Sequence, residues 1–417
     1  MHLPRESTLL TSGEPGGAVI HHHPELTDAE RDSRFGVVAS DLPSSAEAAS
    51  FRTITFAYTL GAVVLPRGGR WRVAWRWPFD WQVLQTENSE ADAFLAVRVE
   101  SGAAKVSLDV TRGGTWSFNP WNHHVEVTVS EGQLPEGDVV LLTCGERSGY
   151  SRGWRLPTYT SKAARFISAI DPEGDNCWHE VACPGEVRLT PGAPHRVVVV
   201  APSQVEPGGE FGAIIRLEDL WGNPTAVDEG LLSLRIAGGA GDGAVLAVCA
   251  CDELPVYESR VRAPSVGESF RLVATGPSGL AGTSNPVRIF SDGNGRRVFW
   301  GDLHSGQTAY GCGDGSLIDH FRFGHRVAGL QFASQQANDH YVTAGNWELI
   351  QRETEESHIE GSFVAFHGCE WSALTPEGGD RNIIYRNRGE PLFRSGRFYT
   401  EKEEDPTPDK RSALEFH

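Results

Sequence analysis

The residues of this chain whose types and spacing suit chemistry lie in its last third. His304, the pair Asp339-His340, Glu370 and Asp380 stand next to the short apolar runs VFWGDL, LQFAS, FVAFHGC and NIIYR in turn. In parallel α/β folds, functional side chains collect at the carboxyl ends of the strands. Imidazole and carboxylate arriving at one mouth suit Zn2+, Mn2+ or Fe2+. Such an ion lowers the pKa of a bound water and neutralises charge on a phosphoryl or carbonyl oxygen. His304, His340, Glu370 and Asp380 are therefore candidate metal ligands. Asp339 is a candidate catalytic group or further ligand, and Arg381 a candidate catalytic cation that holds an anionic substrate group. Gln307, Asn338 and Asn382, on the same loops, are candidate substrate contacts.

Each has a plainer alternative. His304 is a ligand or a satisfied core histidine, and Asp302 caps a turn. Asp339 and His340 form a loop pair, and Asp380 with Arg381 an ordinary ion pair. Glu370 follows an apolar strand, where an unpaired carboxylate is costly, which favours a site. His320, His325, His358 and His367 read as surface or packing residues. Cys312 and Cys369 flank the site without a base placed for a thiol nucleophile.

The elements that must position these groups alternate strand and helix. VFWGDL reads as a buried strand and GSLIDHFRFGHRVAG as a helix. In that helix Leu317, Ile318, Phe321 and Val327 lie near one face, Ser316 with Asp319 makes a capping box, and Gly329 ends it. LQFAS is a second strand, 343–356 a helix with Trp347 and Ile350 inward, GSFVAFHG a third strand and NIIYR a fourth. The pattern predicts a mostly parallel sheet or a barrel.

Upstream the pattern is different. The chain has 417 residues, enough for two to four domains. With 37 basic and 55 acidic residues its formal charge is −18, which makes nucleic acid and anionic membrane surfaces poor partners. The 47 glycines and scattered prolines predict many turns and short strands. Residues 1–50 read as a weakly structured segment, with His21, His22 and His23 in a solvated loop. Residues 51–185 alternate as an antiparallel sandwich or barrel, and 186–292 suit an immunoglobulin-like sandwich. Trp71, Trp75, Trp77 and Trp81 form an aromatic core or a platform for stacking sugars and other rings. No apolar run suits a membrane helix, and no leader pattern is evident. Seven cysteines read as reduced thiols of a cytoplasmic protein, although Cys177 and Cys183 could pair in an oxidising compartment.

The strings VFWGDLHSGQT, DGSLIDHFRFGHRVAGLQFASQQANDHY, FVAFHGCEWSALTPEGGDRNIIY and LFRSGRF resemble the PHP (polymerase and histidinol phosphatase) superfamily of metal-dependent phosphoesterases. They are most similar to its uncharacterised branch, the domain of unknown function 3604. The likeness is dense over about 275–400. It implies that His304 matches the first His of a His-x-His strand end, with Ser305, Gly306 and Gln307 following it. Asp339-His340 matches a Thr-Asp-His motif with Asn338 in place of Thr, Glu370 matches a metal-bridging Gly-x-Glu, and Asp380 lies near a His of the relatives. It implies a barrel of about seven strands, of which about four are present before the charged tail 401–417.

The expected fold is therefore multidomain, β plus α/β. Two N-terminal antiparallel β-sandwich-like domains precede an incomplete PHP-type α/β barrel over 297–400. The expected function is a metal-dependent hydrolase of phosphoesterase type acting on a small-molecule substrate, inactive in this form. The open barrel edge invites association. The alternatives are a non-catalytic carbohydrate- or protein-binding β-sandwich protein with a vestigial α/β domain, and a fragment with no role of its own.

Overall fold

The computed structural model describes residues 19–76, 78–112, 121–147, 149–183, 185–226, 232–237, 249–250, 255–290, 297–373, 378–395 and 412–416. The molecule is mostly β, in three successive units. Among the described residues, no helix is long and apolar enough to cross a membrane.

In the first unit one sheet runs, edge to edge, through Val19–His21, Cys177–Val181, Ser161–Asp171, Arg70–Trp75, His123–Gly132 and Ala104–Arg112. Glu186–Thr190 pairs with Ser161–Asp171 and with Ser45–Glu47. The second sheet holds Val37–Ser40, Ile54–Thr59, Val139–Cys144 and Leu95–Val99. Alternation builds the core between them. Ile54, Phe56 and Tyr58 point inward from one strand, and Val140 and Leu142 from its neighbour. Trp71, Trp75 and Trp81 are 1%, 6% and 6% exposed. Trp81 stacks on Trp154 at 4.3 Å, and Trp71 on Tyr58 at 5.1 Å. These three are core residues, so they offer no stacking platform; Trp77 lies outside the described residues.

Two expectations change here. Residues 19–47 carry the strands Val19–His21, Val37–Ser40 and Ser45–Glu47 and the helix Asp28–Phe35, all part of the first unit. Strands of three or four residues are too short to show an alternation, so the segment looks unstructured in sequence. The strand Glu186–Thr190 also belongs to this unit, which moves the boundary from 185 to beyond 190.

His21, His22 and His23 are not a solvated loop. Val19–His21 runs parallel to Cys177–Val181, with His21 opposite His179. His23 Nε2 lies 2.9 Å from His179 Nδ1, and Phe35 stacks on both rings. His22 pairs with Glu180 and His23 with Glu25, each at 2.9 Å. Cys177 and Cys183 are free thiols.

The second unit packs two sheets face to face. One holds Arg196–Val200, Glu210–Glu218, Tyr257–Arg262, Cys249–Ala250 and Pro224–Thr225. The other holds Gln204–Val205, Val287–Ile289, Ser269–Thr275, Ser233–Ala237 and Ala281–Thr283. Val197, Ile215, Leu217, Leu234, Val261 and Leu272 fill the space between. This is a β-sandwich, as the alternation predicts.

The third unit is a sheet in sequential order, Gly301–Asp302, Phe332–Ser334, Val364–Ser372 and Asp380–Tyr385. The first three strands are parallel, and helices cross over between them. Leu317–Arg322 starts at Ser316, whose hydroxyl accepts from the Asp319 amide, and the helical stretch ends at Gly329 in the left-handed region. Ala344–Ser357 starts at Thr343 and buries Trp347 and Ile350. Leu317, Phe321 and Val327 face the core, whereas Ile318 is exposed.

The first and last strands differ from expectation. The strand expected over VFWGDL is reduced to Gly301–Asp302, and Phe299 and Trp300 are 59% and 60% exposed at the sheet edge. A run buried on both faces needs a neighbour on each side, and this edge has one neighbour among the described residues. The fourth strand runs antiparallel to the third, since the seven residues between Ser372 and Asp380 are too few for a parallel crossover. A four-stranded open sheet stands where a partial barrel was expected.

A candidate polar site at the strand ends

The sheet brings the expected groups together. Glu370 N–H bonds to Ala337 O at 2.9 Å, which ties the ends of two strands. Antiparallel pairing sets Asn382 directly opposite Glu370 and Asp380 opposite Ser372. Paired residues share a face and alternate residues share it again, so Glu370, Ser372, Asp380 and Asn382 lie on one side. Arg381 is paired with Trp371 and lies on the other side. It was expected to hold an anionic group at this mouth, and the pleat turns it away.

His304 stands at the rim, half-exposed. Its amide bonds to Asp302 at 2.9 Å, and its Nδ1 lies 2.7 Å from Asn382 Oδ1. Asn382 also donates to Leu303 O at 3.2 Å. His304 Nε2 is 3.9 Å from Glu370 Oε2. Two residues 66 positions apart in the chain therefore meet at one point, as the strand-end argument requires.

Glu370 forms the floor and is 8% exposed. Its Oε2 accepts from Gln307 Nε2 at 3.2 Å and from Asn338 Nδ2 at 2.9 Å. Gln307 Nε2 also bonds to Asn338 Oδ1. Burial raises the proton affinity of Glu370 above the ordinary carboxylate range. Nearby His304 and His340 oppose that rise, while Asp380 and Asp339 add to it.

Asp339 has another task. It is fully buried, and its carboxylate accepts from the backbone N–H of Ser372 at 2.7 Å and from the Ser395 hydroxyl at 2.9 Å. The Ser395 amide donates to it as well. Both oxygens are thus used to stitch a strand end to the distant segment around 395, and His340 Nδ1 lies 3.7 Å away. The expectation of a catalytic Asp339 meets a structural carboxylate. Sequence reasoning missed Ser372 and Ser395. Ser372 was within reach of it, two residues beyond Glu370 on the same face. Ser395 was not, because nothing local links it to Asp339.

Cys312 closes the floor from the loop that follows His304. Its N–H donates to Gln307 Oε1 at 2.9 Å, and its Sγ lies 3.2 Å from Asn338 Oδ1. A Cβ at Gly311 would meet Gln307 Oε1 at 2.3 Å, so a side chain there would displace the Gln307 carboxamide.

The donor set can be tested against the metal that the resemblance implies. His304 and Glu370 supply one nitrogen and one oxygen. Glu370 Oε2 already accepts two amide hydrogen bonds, and Asp339 is spent on Ser372 and Ser395. Among the described residues, no group of three His, Cys, Asp or Glu side chains is placed to hold one ion. Among the described residues, His304 and Glu370 make two such donors, where a closed centre takes three or four. What they offer is hydrogen bonding: three carboxamides, one imidazole and one carboxyl whose proton affinity is raised by burial.

No family model matches the chain, and no curated protein matches it. Among solved structures it is similar to the Escherichia coli adhesin FdeC, at 12% identity and a TM-score of 0.22, over 61% of this chain and 63% of that one. It is similar to the Yersinia pseudotuberculosis adhesin InvE, at 12% identity and a TM-score of 0.17, over 61% and 58%. It is also similar to a cohesin module of a Clostridium perfringens family 33 glycoside hydrolase, at 10% identity and a TM-score of 0.21, over 37% and 96%. The match spans less than two thirds of either adhesin chain. At these TM-scores the likeness bears on neither the function nor the site.

Proposed function

We propose that this chain is a modular binding protein whose strand-end site takes a small hydroxyl-rich molecule of carbohydrate type. The observation that carries this is the carboxamide set around Glu370. Gln307, Asn338 and Asn382 cluster in one patch with His304 at the rim and Glu370 at the floor, joined by hydrogen bonds that a ligand hydroxyl can replace by exchange. Carboxamide and carboxyl groups are the natural partners of vicinal hydroxyls, since each donates or accepts without demanding charge. The test is calorimetry of the full chain against a panel of neutral saccharides. Saturable binding lost in Gln307→Ala with Glu370→Gln supports the reading. Binding that survives both changes removes the site from it.

A second reading is favoured by one distance, the 3.9 Å between His304 Nε2 and Glu370 Oε2. That pair, with the strings that resemble the PHP superfamily, supports a metal-dependent hydrolase of phosphoesterase type. Its test is titration of the protein with Zn2+, Mn2+ or Fe2+. Stoichiometric uptake abolished by His304→Ala with Glu370→Gln favours it, and no uptake counts against it.

A further inference from the structure

The loop that carries Gln307 belongs to the third unit, but the first unit holds it. Arg76 follows the central strand Arg70–Trp75 and is 5% exposed. Its Nη2 donates to Gly311 O at 3.0 Å. The N–H of the same peptide group, on Cys312, donates to Gln307 Oε1. A peptide group is planar and trans, so fixing its oxygen fixes the direction of its N–H. A peptide hydrogen-bonded at both ends is also the stronger donor.

The orientation of Gln307 follows. Its Oε1 accepts from the amides of Cys312 at 2.9 Å and Asn338 at 3.2 Å. Its Nε2 is thereby left to face Glu370 and Asn338. Were the carboxamide turned over, an oxygen would face the Glu370 carboxylate and an NH2 would face two N–H donors. Farther along, the first unit grips the same segment twice more. Ser161 donates to Asp314 at 3.1 Å, and Lys162 pairs with Asp319.

We propose that Arg76 is a positioning residue for the strand-end site, acting through the Gly311–Cys312 peptide to hold Gln307 with its NH2 toward Glu370. The first sandwich is then a working wall of the site, and the site is complete only with the two units docked. The proposal rests on the site described under the proposed function, whatever ligand that site takes.

The experiment is a carboxyl titration of the full chain, with 13C-labelled glutamate followed by infrared difference and Glu370→Gln used to assign the signal. Gln307→Leu removes the NH2 directly and raises the proton affinity of Glu370 several-fold, because the carboxylate loses a donor. Arg76→Met produces a shift in the same direction, and Arg76→Lys, which keeps a donor, restores most of it. Ser161→Ala with Lys162→Met, at a half-buried and an exposed position, loosens the loop and the helix that follows it and gives a smaller shift; this pair is the reading to use if Arg76→Met does not fold. A Gln307→Leu shift with no shift from the loosening variants overturns the role of Arg76 and leaves the site standing. No shift from Gln307→Leu overturns the site itself.

Discussion

The first sandwich and the strand-end site both bury carboxylates, and they treat them in opposite ways. In the sandwich Asp171 and Glu126 are closed by guanidinium groups, whereas Asp138 is met by Ser101 and by the amide of Val139. Asp171 is fully buried and accepts from Arg70 Nε at 3.1 Å and from the amides of Gly174 and Asn176 at 2.8 and 2.9 Å. Glu126 accepts from Arg72 at 2.6 Å, and Arg72 lies 4.1 Å over the Trp178 ring. In the site, Glu370 receives neutral amides and a half-exposed imidazole. A carboxylate closed by Arg is a structural tie with nothing left to offer. One met by neutral amides and a half-exposed imidazole is closed by no fixed cation, and burial raises its proton affinity. Asp339 lies between the two cases, buried like Asp171 but satisfied by serine donors.

Four changes break or sharpen that contrast. The largest effect belongs to Asp171→Ala, which takes the main acceptor from the half-buried Arg70, leaving it Glu126 and Asn176, and takes the acceptor from the amides of Gly174, Asp175 and Asn176. Removing one partner of a buried pair costs about 3–5 kcal/mol, readable in denaturant unfolding. Asp339→Ala strands the Ser372 and Ser395 donors but no cation, so about 2–3 kcal/mol is expected in the same measurement. If Asp339→Ala proves as costly as Asp171→Ala, the guanidinium is not what sets the two regions apart.

Glu370→Gln has the opposite sign. Because the folded protein holds the Glu370 proton more tightly than the unfolded chain does, its ionisation opposes folding as pH rises. The variant is therefore as stable as the parent or more so at pH 7, and the difference fades toward the unfolded carboxylate value of about 4.3. A clear loss of stability at pH 7 would mean that Glu370 is a structural tie like Asp171.

The smallest effect is local. Burial, then His23, His21 and Arg34, hold the His179 proton affinity below that of a free imidazole, with Asp171 opposing. The folded state thus binds fewer protons than the unfolded one, and stability from this group is lost as pH falls below about 6.5. Glu180 and Glu25 face the neighbouring His22 and His23. Amide protection factors at 19–23, taken against the intrinsic exchange rate at each pH, should fall between pH 7 and 5, and His179→Gln should flatten that dependence. Protection factors that do not change with pH in the parent would show that the imidazole pair does not hold this edge strand.

Much of the third unit was legible in sequence because its signals are local. Ser316, Gly329 and Thr343 mark helix ends by residue type alone, and Trp347 and Ile350 mark a face by spacing. The meeting of His304 and Glu370 was legible because strand ends in such sheets share one side. Arg381 was misplaced by a single position, since a period of two inverts the face with each step. Asp339 with Ser395 and Arg76 with Gly311 were not legible at all. They join positions 56 and 235 residues apart, and only the folded packing brings them together. The exposed Phe299 and Trp300 looked like core because an apolar run reads the same at the centre and at the edge of a sheet.

The most direct measurement is a calorimetric titration of the full chain with neutral saccharides, run first in a chelator and then with Zn2+ or Mn2+ supplied. A polar site built on carboxamides and Glu370 gives saturable binding in the chelator, abolished by Gln307→Ala with Glu370→Gln. Failure to bind in the chelator, with stoichiometric uptake of the ion through His304 and Glu370, would contradict it and assign the site to metal chemistry.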